Sequence, residues 1–255
     1  MNLTRELFVD GQRLETLYGA PPAGRPTIVF LHEGLGSIST WRDFPAQLAR
    51  RAGCGFFVYS RCGHGQSERL AGPRPVDYMH HEAFGVLPQL LHAAAIGRPV
   101  LFGHSDGASI ALLFAARFPH AAAGLILEAP HLFVEAPALV SIAAARDQFV
   151  RSDLGAKLAR HHRDAAATFY GWNDIWLDPR FRSWNIESDC AGVLCPVLAI
   201  QGKDDEYGTL EQIERLRARV TGMRVLVLER CGHAPHRDQP EAVLSTSADF
   251  IEQIA

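Results

Sequence analysis

The sequence lacks the features that would direct a protein to a membrane or to a nucleic acid. No apolar run approaches the roughly 20 residues that cross a bilayer. The first six residues, Met1 to Glu6, have neither the basic nor the apolar region of a secretory signal. Charge is balanced, with 25 basic and 28 acidic residues and no block of one sign. We therefore expect a cytoplasmic protein that binds neither a membrane surface nor a nucleic acid.

Cysteine is too sparse for a disulfide framework. The five cysteines are odd in number, and none forms a C-x-x-C pair. A chain of 255 residues can also bury enough apolar surface to need no covalent staples. We expect all five to be reduced thiols; they are Cys54, Cys62, Cys190, Cys195 and Cys231.

Motifs for metals and dinucleotides are missing or incomplete. The paired histidines His80-His81 and His161-His162 have no partner at H-E-x-x-H spacing, and no acidic or cysteine cluster accompanies His233 and His236. The pattern Gly34-x-Gly36 follows an apolar run, but the third glycine of a dinucleotide-binding loop is absent. We therefore expect a protein that uses no metal and no cofactor.

What the sequence does contain is an alternation of short apolar runs with helix-length segments. Runs this apolar favour a parallel sheet that helices cover on both faces. Alternating residues on either side of Asp10-Gly11 predict an antiparallel hairpin ahead of that sheet. The predicted strands are residues 27–31, 55–59, 100–102, 124–127, 197–200 and 225–228, and the predicted helices are residues 41–51, 78–95, 108–118, 209–220 and 240–254.

One stretch, from about residue 130 to residue 188, interrupts this alternation. It is too long for a plain connection between strands, and residues 141–148 and 154–162 within it have helical character. Three of the four tryptophans follow within 13 residues. Such a cluster either packs the segment against the core or lines an apolar pocket. We expect Trp172, Trp176 and Trp184 to bind substrate.

Ser105 lies at the tip of a predicted strand, turn and helix. It is the centre of Gly103-His104-Ser105-Asp106-Gly107, which follows one apolar run and precedes another. In a G-x-S-x-G turn the serine backbone is strained, so that the hydroxyl stands above the sheet, and small residues at both ends avoid clashes. Ser105 is therefore the candidate nucleophile.

A carboxylate and a histidine follow Ser105 along the chain, each in a loop after a predicted strand. Asp204 and Asp205 come after the first of these strands, and His233 comes after the second. Loops of this kind carry functional side chains more often than the elements they connect. Both aspartates are candidates for the acid, and Glu128, at the end of another predicted strand, is a more distant candidate.

The order serine, carboxylate, histidine resembles that of the α/β-hydrolase family and differs from the orders of the chymotrypsin-like and subtilisin-like proteases. The resemblance extends from Leu31-His-Glu-Gly34 to Gly232-His233. It implies an α/β fold with a mostly parallel eight-stranded sheet flanked by helices. The core would comprise residues 1–130 and 189–255, and residues 131–188 would form a helical cap inserted after the sixth strand. The family spacing G-x-x-D, counted from Gly202, selects Asp205 as the acid.

The same resemblance implies two backbone N–H groups that hold the oxyanion. One belongs to Asp106, directly after the nucleophile. The other lies in the loop that corresponds to the H-G-x loop of the family. Counting from His32 selects Gly34, whereas counting back from Gly36 selects Leu35. Each such donor lowers the barrier by about 3 kcal/mol.

Glu33 occupies the position at which the family carries the first glycine of that loop. Its carboxylate could take part in the chemistry or pair with a neighbouring cation. Arg61, in the turn from Ser60 to Ser67, is the candidate partner for this carboxylate. We expect a salt bridge between Glu33 and Arg61 that joins the two loops.

Together these residues predict a serine hydrolase acting through an acyl-enzyme on an ester, lactone or thioester. Two alternatives stay open. One is hydrolytic C–C cleavage of a ring-cleavage or β-diketone-type product, which relatives perform with the same triad. The other is a ligand receptor of this fold with little turnover. We expect a small organic molecule as the partner, and the sequence leaves a homodimer open.

Overall fold

Eight strands form one sheet in the computed structural model, which describes residues 2–254. Their order across the sheet is 1-2-4-3-5-6-7-8 in chain numbering. The first two strands pair antiparallel, the second joins the fourth antiparallel, and the other neighbouring pairs are parallel. The predicted mostly parallel eight-stranded sheet is confirmed. The strands are β1 (Asn2–Val9), β2 (Gln12–Gly19), β3 (Thr27–Leu31), β4 (Gly55–Tyr59), β5 (Val100–His104), β6 (Gly124–Glu128), β7 (Val197–Gly202) and β8 (Arg224–Leu228).

The hairpin that opens the sheet turns at Asp10-Gly11, as predicted. Val9 pairs with Gln12, so two residues form the turn, and their φ angles are 53° and 72°. Two consecutive positive φ angles match the right-handed twist of the flanking strands. Glycine takes up such an angle without steric cost, which explains its place at the second turn position.

Helices cover both faces of the sheet, as predicted. Every residue of β3 is buried: Val29 and Leu31 face one helical layer, and Ile28 and Phe30 face the other. Each such apolar side chain contributes about 1.5 to 3 kcal/mol to folding. None of the helices within residues 2–254 is both long enough and apolar enough to span a bilayer. The helices are α1 (Phe44–Ala52), α2 (Tyr78–His81), α3 (Leu87–Ala93), α4 (Asp106–Arg117), α5 (Ala136–Arg151), α6 (Leu154–Leu158), α7 (Ala165–Leu177), α8 (Leu210–Arg217), α9 (Pro235–Asp238) and α10 (Pro240–Ile254).

The predicted helix 78–95 is divided by a π-helical turn. This turn, Glu82–Val86, lies between α2 and α3, and the Leu87 N–H bonds the carbonyl of Glu82, five residues back. Pro88 has no N–H to donate to the residue four positions earlier, so the regular ladder cannot run through this point.

The stretch between β6 and β7 is helical. We call residues 131–188 the helical insertion. In it, α5 and α6 overlap the predicted helical segments, although α5 begins earlier and α6 ends earlier. The aromatic cluster begins in α7, which the sequence did not predict as a helix, and continues through a 3₁₀ turn at Pro179–Ser183. That this insertion is a separate cap domain stays a prediction.

Candidate active site

Ser105 lies between β5 and α4 in a strained backbone conformation. Its φ is 54° and its ψ is −119°, a combination that costs a residue with a side chain about 1 to 3 kcal/mol. A Cβ on Gly103 would lie 2.4 Å from the Gly107 carbonyl oxygen, and a Cβ on Gly107 would lie 2.1 Å from that of Leu31. Neither position can carry a side chain, so the two glycines keep the turn tight around the Ser105 hydroxyl.

The His233 imidazole joins Ser105 to Asp205. Its Nε2 lies 2.9 Å from Ser105 Oγ, and its Nδ1 lies 2.8 and 2.9 Å from the two carboxylate oxygens of Asp205. When Nδ1 donates its proton to the carboxylate, Nε2 of the neutral ring is left as an acceptor for the serine proton. General-base catalysis by histidine requires this orientation.

Several donors hold Asp205 as a carboxylate. Oδ1 accepts from the backbone N–H groups of Tyr207 and Gly208 at 2.8 and 3.1 Å, and Oδ2 accepts from Gln201 Nε2 at 2.7 Å. Burial by itself would raise the pKa of Asp205. The electrostatic interaction with His233 and the hydrogen bonds from His233 and Tyr207 outweigh burial, and the pKa is lowered. Asp205 therefore stays ionised near neutral pH.

The two other candidate acids lie in different surroundings. Asp204 is exposed to solvent. Glu128 is fully buried, and its carboxylate accepts from the backbone N–H of His236 at 2.5 Å and contacts His236 Nδ1 at 2.6 Å. Of the three carboxylates, Asp205 is the one that contacts His233.

Buried donors fix the direction of the peptide groups in the loop after β3. Arg61 Nη2 donates to the Glu33 carbonyl at 3.0 Å, and His64 Nε2 lies 3.0 Å from the Gly34 carbonyl. The N–H of a trans peptide points away from its carbonyl. The N–H groups of Gly34 and Leu35 therefore face away from Arg61 and His64. Both residues line the cavity described below, so both remain candidates for the second oxyanion donor.

The first candidate donor, the N–H of Asp106, lies at the first position of α4. N–H groups at this end of a helix have no partner within the helix. The Asp106 carboxylate is buried and accepts from the Tyr78 hydroxyl at 2.7 Å and from Trp176 Nε1 at 3.3 Å. These two hydrogen bonds tie the turn at Ser105 to α2 and to α7.

The expected salt bridge between Glu33 and Arg61 is wrong. The guanidinium group of Arg61 donates to backbone carbonyls of the loop and lies 3.9 Å from the Asp106 carboxylate. The Glu33 carboxylate lies 3.5 Å from Nδ1 of His104 instead.

Glu33 and His104 form a largely buried ion pair beside the candidate nucleophile. Burial would raise the pKa of Glu33, but His104 outweighs burial and lowers it to about 2. Burial would likewise lower the pKa of His104, but Glu33, the Glu128 carboxylate and a bond to the His233 carbonyl raise it to about 9. His104 Nε2 lies 2.6 Å from that carbonyl. The pair thus links the loop after β3 to the segment that carries His233.

His236 has an acidic neighbour, contrary to the sequence-based expectation. One ligand-type atom from each of His104, Glu128 and His236 lies within 4.8 Å of the others. Two imidazoles and a carboxylate can bind a transition metal. Here the Glu128 carboxylate is engaged with His236, and its pKa is lowered because the charge and hydrogen bonds of His236 outweigh burial. Spacing along the chain did not predict this group of three residues, because Glu128 and His236 lie far apart in the sequence.

His131 is a site residue that sequence reasoning missed. Its ring centroid lies 5.6 Å from that of His233 and 5.0 Å from that of Trp176. Burial and then the electrostatic interaction with His233 lower its pKa to about 3, so the ring is neutral. Its position just after β6 could have identified it from the sequence, because the other site residues follow neighbouring strands at the same edge of the sheet.

A cavity of about 380 Å³ has Ser105 and His233 in its lining. Trp172 and Trp176 also line it, as expected, whereas Trp184 does not. The Trp184 ring instead packs on Phe181 at a centroid distance of 5.3 Å. The helical insertion supplies part of the wall through Ile142, Leu154, Leu158, Trp172 and Trp176.

Comparisons with known proteins agree with this fold. A sequence model described as the alpha/beta hydrolase family matches residues 28–246. The chain is 28% identical over 256 residues to a protein of Pseudomonas savastanoi pv. phaseolicola named "putative carbamate hydrolase", covering 90% of this chain and 95% of that protein. It is 24% identical over 255 residues to the 2-hydroxy-6-oxo-2,4-heptadienoate hydrolase of Pseudomonas putida, covering 90% of each. The solved structure of an enol-lactonase from Burkholderia xenovorans superposes with a TM-score of 0.77 at 20% identity, covering 97% of this chain and 99% of that one.

Proposed function

This chain belongs to the alpha/beta hydrolase family, and we propose that it is a serine hydrolase that cleaves an ester-type bond of a small organic molecule. The observation that carries the proposal is the continuous hydrogen-bonded path from Ser105 Oγ through His233 to Asp205, at the wall of a cavity. Hydrolysis of an ester, a lactone or a thioester requires the same arrangement of nucleophile, base and acid.

In the proposed reaction His233 Nε2 takes the proton of Ser105 as Oγ attacks the carbonyl carbon. The carbonyl oxygen becomes negative and accepts hydrogen bonds from the N–H of Asp106 and from that of Gly34, with Leu35 as the alternative donor. The C–O or C–S bond to the leaving group then breaks, and the leaving group takes the proton from His233. Water, activated by His233, hydrolyses the acyl-Ser105 ester.

The size and lining of the cavity support a small substrate with an apolar part. About 380 Å³ lies in the range of pockets that enclose one small molecule. We propose that Trp172 and Trp176 contact the substrate directly. Trp184 is left out of this role because it lies outside the cavity lining.

A second candidate is hydrolytic C–C cleavage of a ring-cleavage product. The similarity to the 2-hydroxy-6-oxo-2,4-heptadienoate hydrolase over 90% of the chain favours it. The two reactions use the same three side chains, so substrate preference distinguishes them. Higher kcat/KM for a vinylogous 1,5-diketone than for any ester or lactone would favour C–C cleavage.

Hydrolysis of a generic aryl ester by the purified protein tests the proposal. We expect multiple turnovers that survive EDTA, and a loss of several orders of magnitude in kcat for Ser105→Ala with unchanged melting. The glycines, and not the hydroxyl, hold the turn, which is why the fold should persist. Single-turnover acylation would favour a receptor instead, and substantial activity in Ser105→Ala would remove Ser105 as the nucleophile.

A further inference from the structure

The cavity that contains Ser105 also carries an excess of basic side chains. Arg42, Lys157 and Arg237 line it, and they come from three separate parts of the chain: the loop after β3, α6 and α9. Two carboxylates, those of Glu33 and Glu206, are also in the lining. Glu33 is already paired with the His104 imidazole, which offsets part of its negative charge in the cavity.

The two arginines differ from the lysine in what they contact. Lys157 forms an ion pair with Asp153 at 3.0 Å. Arg42 and Arg237 are exposed, and neither side chain forms an ion pair or a hydrogen bond within residues 4–254. Two free guanidinium groups therefore stand at the rim of the cavity, each with its paired N–H donors available to an anion.

The backbone of Arg42 is strained in the same way as that of Ser105. Its φ is 54° and its ψ is −126°, close to the φ of 54° and ψ of −119° at Ser105. A non-glycine residue in this region costs about 1 to 3 kcal/mol, and such residues cluster at functional sites. Glycine would remove the strain, but it would also remove the guanidinium group from the cavity.

His161 is a further basic side chain of this cavity, and both arginines contribute to its pKa. It lines the same cavity, and its Nδ1 lies 2.8 Å from Ser39 Oγ. Its pKa is lowered, first by burial and then by the positive charge of Arg237, with a smaller contribution from Arg42, whereas the Glu33 carboxylate opposes the shift. Both guanidinium groups therefore act on one imidazole in the cavity lining.

We propose that Arg42 and Arg237 bind a carboxylate group on the substrate, so that the hydrolase acts on an anionic ester-type compound. The inference rests on the proposed function, because it assigns the substrate class of the same cavity. Arginine pairs with a carboxylate through two parallel N–H···O bonds, which fixes the orientation of the substrate as well as its charge. The apolar wall around Trp172 and Trp176 would hold the remainder of the molecule.

A matched pair of substrates tests the inference. The 4-nitrophenyl monoester of glutaric acid and 4-nitrophenyl pentanoate have acyl chains of equal length and differ in the terminal carboxylate. We expect kcat/KM to be higher for the glutarate monoester, and the preference to shrink at high salt because ions screen the attraction. Arg42→Gly and Arg237→Gln should each lower the ratio of the two kcat/KM values by roughly tenfold, as expected for a charge-assisted hydrogen bond.

A control variant and a comparison of melting temperatures complete this test. Arg151→Gln changes an exposed arginine at the end of α5 that does not line the cavity, and it should leave the ratio unchanged. Arg42→Gly should melt no lower than the parent, so a reduced ratio cannot be attributed to unfolding.

Affinity of both esters for Ser105→Ala, measured by calorimetry, separates this inference from the proposed function. Tighter binding of the glutarate monoester, weakened by Arg42→Gly, supports the inference even if neither ester is turned over. Ser105-dependent turnover of both esters with equal kcat/KM and equal affinity would overturn the inference and leave the hydrolase proposal intact.

Discussion

Individual side chains around Ser105 are held in place by hydrogen bonds from neighbouring backbone and side-chain groups. Asp205 accepts hydrogen bonds from two backbone N–H groups, and Asp106 accepts from Tyr78 and Trp176. The G-x-S-x-G turn could be predicted because its backbone demands specific residues at fixed positions. The partner of Glu33 could not be predicted. Whether Arg61 or His104 pairs with it depends on which backbone carbonyls the Arg61 guanidinium group contacts in the folded protein.

The ion pair between Glu33 and His104 should make stability depend on pH. The pKa of His104 is raised to about 9 in the folded protein, whereas a histidine in an unfolded chain titrates near about 6.5. The stabilisation from the charged imidazole is therefore complete below about pH 6.5 and is lost as the pH rises towards 9. Between pH 6.5 and 8 the free energy of unfolding should fall by up to about 1.4 kcal/mol per pH unit on account of this group.

Urea unfolding at pH 6.5 and pH 8 measures this change. The decrease in the free energy of unfolding should be smaller in His104→Gln than in the parent protein. His120→Gln, which changes an exposed histidine outside the cavity lining, should retain the decrease of the parent. Equal pH dependence in the parent and in His104→Gln would show that the imidazole is not charged in the folded state.

The sequence predicted secondary structure elements correctly where one type of residue largely determines the local geometry. The Asp10-Gly11 hairpin and the buried strands β3, β4 and β5 are of this kind. The π-helical turn before α3 departs from the periodic pattern because Pro88 lacks an N–H. The edge strand β8 is less buried than its apolar sequence indicates, since one neighbour is missing at the sheet edge.

The helix α7 shows how spacing along an element assigns roles that composition cannot. Trp172 and Trp176 are four residues apart on this helix and so share a face, and both line the cavity. Trp184 lies beyond the end of α7, after the 3₁₀ turn, and packs on Phe181. In the sequence the three tryptophans form one aromatic cluster. The sequence analysis did not predict α7, so it did not separate Trp184 from the two tryptophans on that helix.

Truncation of these tryptophans should have different effects. Trp172→Ala should change the ratio of kcat/KM between short and long acyl esters, because the indole ring forms part of the cavity wall. Trp184→Ala should mainly lower the melting temperature, since loss of a buried aromatic side chain costs about 3 to 5 kcal/mol. Selectivity against a series of acyl chain lengths, together with melting curves, distinguishes the two. A larger shift in selectivity for Trp184→Ala than for Trp172→Ala would contradict the placement of the cavity.

The whole molecule brings the three candidate catalytic groups together through the order of its strands. Ser105, Asp205 and His233 follow β5, β7 and β8, and these parallel strands end at one edge of the sheet. Chain order, together with the G-x-x-D spacing of the family that the chain resembles, was therefore enough to predict which residues would converge. The cationic rim was not predicted, because Arg42 and Arg237 come to line one cavity only through the packing of the loop after β3 against the segment after His233.

Capture of the acyl-enzyme is the most direct test of Ser105 as the nucleophile. The protein would be mixed with an excess of a 4-nitrophenyl ester, quenched in acid within milliseconds and analysed by mass spectrometry of its peptides. We expect a burst of 4-nitrophenol close to one equivalent per protein and the acyl group on Ser105, formed before steady-state turnover. Turnover with no acyl adduct, or with the adduct on another residue, would contradict the assignment of Ser105 as nucleophile.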